Sequence, residues 1–155
     1  MSTLLTPLAL LIYLLLGWHF CQTRLAARAP AAWLPEKILL LTGLSLHAAA
    51  IFLPVLQNTQ LHFGAAESLS LSAWLTLMVY SLGRLRWKLD GLEPPLFAFA
   101  CCFVLLALLL PTGHAITYVQ NTLSRSHFLL AMLAQGLLIN AAAIAILMRF
   151  SDKNL

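Results

Sequence analysis

The sequence predicts an all-α protein, a polytopic transmembrane helix bundle of five spans with its N-terminus outside and its C-terminus inside. Three observations predict it. Of 155 residues, 61% are apolar and only 9% are charged, which leaves too little polar surface for a water-soluble domain of this size. Five stretches approach the roughly 20 mostly apolar residues that a span requires. The Lys and Arg residues sit in short clusters between those stretches, as loop charge does.

The first run, Leu4 to Cys21, has nothing basic before its apolar core, while Arg24 and Arg28 follow it. That is the layout of a retained helix rather than of a cleaved signal peptide. The second run is Ile38 to Leu56. The third, Leu69 to Gly83, and the fourth, Pro95 to Leu110, are short and extend into their flanks. "LEPPLF" at Leu92 to Phe97 reads as a helix start, since proline is tolerated in a first turn where its missing N–H has no partner. The fifth run is His127 to Met148. Ser124 reads as its N-cap, which places His127 in the first turn, near the positive end of the helix dipole.

Loop charge orients the bundle. Arg24, Arg28 and Lys37 mark the first connection, Arg84, Arg86 and Lys88 the third, and Arg149 and Lys153 the tail. The second connection has no Lys or Arg, and the fourth has only Arg125. The basic ends belong in the cytoplasm by the positive-inside rule. Trp33, Trp87 and Tyr118 fall near the interfaces, as amphipathic rings do. The connections are short, so residues 1–155 are expected to form a single transmembrane domain.

Several function classes are excluded. The basic clusters lack the aromatic interleaving of a nucleic-acid surface, so no nucleic acid is expected as a partner. Cys21, Cys101 and Cys102 form no C-x-x-C pair and read as packing residues. There is no C-x-x-C-H attachment site, P-loop, H-E-x-x-H or Gly-rich dinucleotide turn. Acids are absent inside the spans and Glu67 is the only outer one, so no Ser-His-acid set forms and no enzyme or metal site is expected.

Chemistry must then be sought at the five histidines. His19 lies near the inner end of the first helix. His47 falls midway along the second, four residues after Gly43, so its face offers a gap that admits either another helix or a flat ligand. A neutral imidazole bonded to a neighbouring hydroxyl or carbonyl is the competing reading at His47. His62 and His114 sit in the two outer connections, and His127 opens the fifth helix. A rise of 1.5 Å per residue buries His47 ~14 Å deep, so His47 and His127 differ in depth by roughly half the membrane. His127 therefore pairs with His62 or His114 more readily than with His47 if one iron is shared. Along the fifth helix, His127, Ala131, Ala134 and Ala145 share one face, and Gly136, Asn140 and Ala143 share the opposite one. Both faces are expected to pack, the second against a partner or another copy of the chain. Gln135 and Asn140 read as interhelical hydrogen-bonding groups.

"ESLSLSAWLTLMVYSLGRLRWKLDGLEPPLFAFACCFVLLALLLP" resembles the central stretch of the YpjD and HemX-like inner-membrane proteins of the cytochrome c assembly (CcsA-like) superfamily. Ser70, Leu71 and Trp74 match the family's "SL-x-x-W" opening of the third helix. Arg84 to Lys88 match the basic patch that follows, and "LSLHAAAIF" around His47 matches the second-helix histidine. His127 with "FLLAMLAQGLL" matches the histidine that opens the fifth. The tryptophan-rich signature W-G-x-x-W-x-W-D of heme-handling members is absent, and Ala134-Gln135 replaces their Ala-Tyr. Relatives continue into further helices where this chain closes with "RFSDKNL", which implies helices lost, encoded separately or cut off. The resemblance implies a non-enzymatic subunit of cytochrome c biogenesis in the bacterial inner membrane that binds or escorts heme, with His47, His127, His62 and His114 as candidate ligands. Its partners would be the bilayer, heme, other membrane proteins of cytochrome assembly, or a self-associated oligomer. A structural or regulatory subunit without heme, or part of a transporter, are the alternatives.

Overall fold

Apolar sequence broken by proline, glycine and charge gives five α-helices among the described residues. In the computed structural model, residues 2–25, 34–57, 62–87, 89, 91–111, 113–115 and 122–152 are described. Helix α1 (Ser2–Phe20) continues into one π-helical segment, Cys21–Leu25. It is followed by α2 (Leu34–Gln57), α3 (Ala65–Arg86), α4 (Glu93–Leu109) and α5 (Thr122–Asp152). Two short strands, β1 (His62–Phe63) and β2 (His114–Ala115), pair antiparallel where α2 joins α3 and α4 joins α5.

Each of the five apolar runs falls on one helix and its immediate end, and the described residues are helical apart from the two-residue ladder and short connections. Among the described residues, two segments, Leu4–Arg24 and Leu34–Pro54, are long and apolar enough to cross a membrane. Glu93–Leu109 and Leu130–Ile146 are apolar but shorter. Helix α3 is more polar, and its position explains why. It packs against α4 and α5 and also touches α2, and its Ser70, Ser72 and Trp74 bond to those neighbours. A helix surrounded by helices needs fewer apolar side chains than one facing lipid.

Tyr13, Leu16 and Phe20 of α1 meet Leu96, Phe97 and Ala100 of α4 in the core, joined by Leu77 and Tyr80 of α3. Phe97 sets its ring 6.0 Å from that of Tyr13 and 5.2 Å from that of Phe20, centroid to centroid. The gap expected beside His47 is filled by a helix. A Cβ on Gly43 would lie 2.9 Å from Ile12 Cγ2 and 3.0 Å from the Tyr13 ring, so only glycine lets α1 approach there.

The start of α4 agrees with the sequence reading: Glu93 opens it, and the two prolines occupy its first turn. Gly91 precedes it with a φ of 94°, a left-handed conformation that glycine takes without strain. The start of α5 does not agree. The helix begins at Thr122, so Ser124 lies inside it and His127 falls beyond the first turn. His127 therefore lies past the turn in which the positive end of the helix dipole acts strongly. Trp33 and Tyr118 lie outside the described residues, while Trp87, just past the end of α3, is exposed.

Candidate functional site

His47 is fully buried, and both of its ring nitrogens are engaged. The Tyr13 hydroxyl lies 3.2 Å from Nδ1 and 3.4 Å from the Gly43 carbonyl oxygen. The Ser70 hydroxyl lies 2.9 Å from Nε2. Two proton arrangements of a neutral imidazole engage both ring nitrogens, and the second also satisfies the Gly43 carbonyl. Either Tyr13 donates to Nδ1 and Nε2–H donates to Ser70, or Tyr13 donates to Gly43, Nδ1–H donates to Tyr13 and Ser70 donates to Nε2. The histidine thus ties α1, α2 and α3 together. One turn further along α3, Trp74 Nε1 donates to the Leu44 carbonyl at 3.0 Å. Ser70 and Trp74 thus both bond α3 to α2.

Helix α5 packs on the other side of α3. Asn140 Nδ2 donates to the Thr76 carbonyl at 3.1 Å, and the Ser72 hydroxyl lies 3.4 Å from Gln135 Oε1. Gly136 sits against the α3 backbone, where an added Cβ would lie 3.4 Å from Thr76 N. The Gly136/Asn140 face expected to meet a partner is therefore spent within the chain, because α3 offers it the polar groups it needs; the Ala143 side chain lies outside the described residues. Ser70 and Ser72 are separated by about 200° around the helix. His47 and α5 consequently stand on opposite sides of α3.

This register also revises the depth of His127. Ser72 is level with Met132 and Gln135, and Thr76 with Gly136 and Asn140. Continued toward the N-termini, it brings His127 level with the first turn of α3, roughly 7 Å along the axis from Ser70. The axial offset from His47 is less than half a membrane, yet α3 stands between the two. His127 is exposed, as are Ala131 and Ala134 on its face.

His62 and His114 meet in the ladder that borders the same end of α3. His62 is paired with Ala115 and Phe63 with His114. Alternation along a strand then puts the two histidine positions on opposite faces of the ribbon; their side chains lie outside the described residues. Glu67, in the first turn of α3, accepts the Gly113 N–H through both carboxylate oxygens, at 3.2 and 3.3 Å.

No family model, curated protein or solved structure matches the chain.

The opposite end of the bundle holds a charged cluster that the sequence reading missed. Arg24 Nη2 donates to Glu36 Oε2 at 3.0 Å, and its Nε lies 3.7 Å from Glu93 Oε1. Arg84 reaches both carboxylates at 3.9 Å. His19 Nε2 lies 2.9 Å from Glu36 Oε1, and the Gly91 N–H donates to Glu93 Oε2 at 2.7 Å. The four charged side chains are no more than 13% exposed, whereas His19 is 43% exposed. The cluster pins the ends of α1, α2, α3 and α4. Glu36 and Glu93 fall just outside the apolar runs and so escaped the search for acids within spans. A signal was present: each opens a helix beside a proline, close in sequence to a basic loop. Among the described residues, no three His, Cys, Asp or Glu side chains gather as a metal site.

Proposed function

We propose that the chain is an integral membrane subunit of cytochrome c biogenesis that binds or escorts heme at the His62/His114/His127 end of the bundle. In this reading all five helices cross the bacterial inner membrane, with that end outside and the Arg24/Glu36/Arg84/Glu93 cluster at the cytoplasmic side. The observation that carries it is the exposed imidazole of His127 at the level of the histidine ladder, with Ala131 and Ala134 continuing its face. An accessible imidazole beside a strip of small apolar side chains would suit a flat, apolar, iron-bearing ligand, with His127 as the residue that would hold the iron. His62 or His114 would provide the second ligand. His47 fits less well, because ligation requires that Nε2 leave Ser70; it serves here as a brace between helices.

A second reading is favoured by that same brace. A structural or regulatory membrane subunit without heme would keep His47 for packing and offer the open face of α5 to another membrane protein. The two are separated by covalently attached heme in c-type cytochromes, measured in cells that carry the wild-type chain, no chain, or His127→Ala. Loss of cytochrome c heme in both the null and His127→Ala cells supports the heme reading. Loss in the null alone supports the structural one.

A further inference from the structure

We propose that Glu67 is a positioning residue that locks the register of the β1–β2 ladder and so fixes where His62 and His114 stand. The proposal rests on the reading of that ladder as part of a heme site, but its physical basis is independent of heme.

The pairing His62 with Ala115 and Phe63 with His114 continues, one rung on, to Gly64 opposite Gly113. That rung is very close. A Cβ on Gly64 would lie 2.6 Å from the Gly113 Cα, nearer than real Cβ atoms come to backbone. Gly64 also adopts extended backbone, with φ −161° and ψ −162°, as the residue before α3, and makes no side-chain cap. Glu67 is the third residue of α3, the position from which a glutamate often reaches back to cap its own helix. Here it reaches across instead, and both its oxygens take the Gly113 N–H. The Ser68 hydroxyl, donating to the Gly64 carbonyl at 2.8 Å, secures the turn from β1 into α3.

A two-residue ladder has little hold on its own register, and a slip of one residue moves every side chain to the opposite face. The Glu67 carboxylate is fixed on a helix, and its acceptor pair matches the N–H of one residue, Gly113. A slipped strand would present a different residue to the carboxylate and a bulkier one to Gly64. Glu67 and the glycine rung thus select one register.

Disulfide trapping in a background free of Cys21, Cys101 and Cys102 tests this without heme. The in-register pair, His62→Cys with Ala115→Cys, should close readily, since directly opposed strand residues lie within disulfide reach. The one-residue slip pair, His62→Cys with His114→Cys, should close slowly. Adding Glu67→Ala should slow the in-register pair about tenfold and speed the slip pair, while Glu67→Gln, which keeps one acceptor, should restore most of the native pattern. Circular dichroism separates a slipped ladder from an unfolded chain, and Glu67→Leu, which keeps side-chain bulk without an acceptor, keeps the test alive if Glu67→Ala fails to fold. Unchanged trapping rates in folded Glu67→Ala or folded Glu67→Leu would overturn the proposal, whatever heme does. Altered trapping in a protein that never binds heme would support the register lock and remove the heme reading alone.

Discussion

Ser70 and His47 share a hydrogen bond of 2.9 Å between α3 and α2, and it leaves the imidazole without a free nitrogen. Because His47 is fully buried, removing the hydroxyl strands a polar atom among apolar side chains. Ser70→Ala should cost about 1–3 kcal/mol in thermal or denaturant unfolding of the detergent-solubilised protein. In a His47→Leu background the same substitution should cost much less, because no ring nitrogen then remains to be satisfied. Equal costs in the two backgrounds would remove the bond from the account.

The charged end should behave as one unit. Glu93 is wholly buried between Arg24 and Arg84, so Glu93→Ala takes one of two carboxylates away from the pair of arginines. A loss of about 3–5 kcal/mol is expected, the usual penalty for breaking a buried pair from one side. Removing charge of both signs together, as Arg84→Met with Glu93→Gln, should recover much of that loss. His19→Ala should matter less, since His19 is the half-exposed member of the cluster.

The contact between α3 and α5 is made at Gly136. Gly136→Ala should be tolerated, because its Cβ meets α3 at ordinary van der Waals distance. Gly136→Leu should push α5 away and break the Asn140 bond to Thr76. Limited proteolysis should then release α5 from the Leu variant and spare it in the Ala variant. Similar digestion of both would mean that α5 is held elsewhere.

The proposed five-span orientation has its own test. Single cysteines at Asn58 and Thr112 should react with an impermeant thiol reagent in intact cells, and cysteines at Ala27 and Asp90 should not. Labelling of the second pair would invert or dismantle the five-span topology.

The helices are legible in the sequence because apolar length is a property of the chain alone. Pro94 and Pro95 mark the start of α4 because proline chemistry is local. The interhelical roles of Gln135 and Asn140 follow from type, since an amide in an apolar run needs a partner wherever it lies. The rest depends on which helix stands beside which. Arg24 and Arg84 read as loop charge until the fold closes them around Glu36 and Glu93. The gap beside Gly43 reads as room for either another helix or a flat ligand until Tyr13 enters it. The start of α5 is misjudged because Ser124 is a good cap by type, while the helix extends back to Thr122. The ladder is invisible in sequence because two-residue strands carry no periodic pattern.

The central claim is that His127 presents an open imidazole to heme. The visible absorption spectrum of the purified protein, loaded with heme in the membrane, tests it most directly. A Soret band is predicted for the wild type and for His19→Ala, whose histidine lies at the opposite end of the bundle, and its loss is predicted in His127→Ala. The same Soret intensity per chain in all three proteins, or none in any of them, would contradict the account.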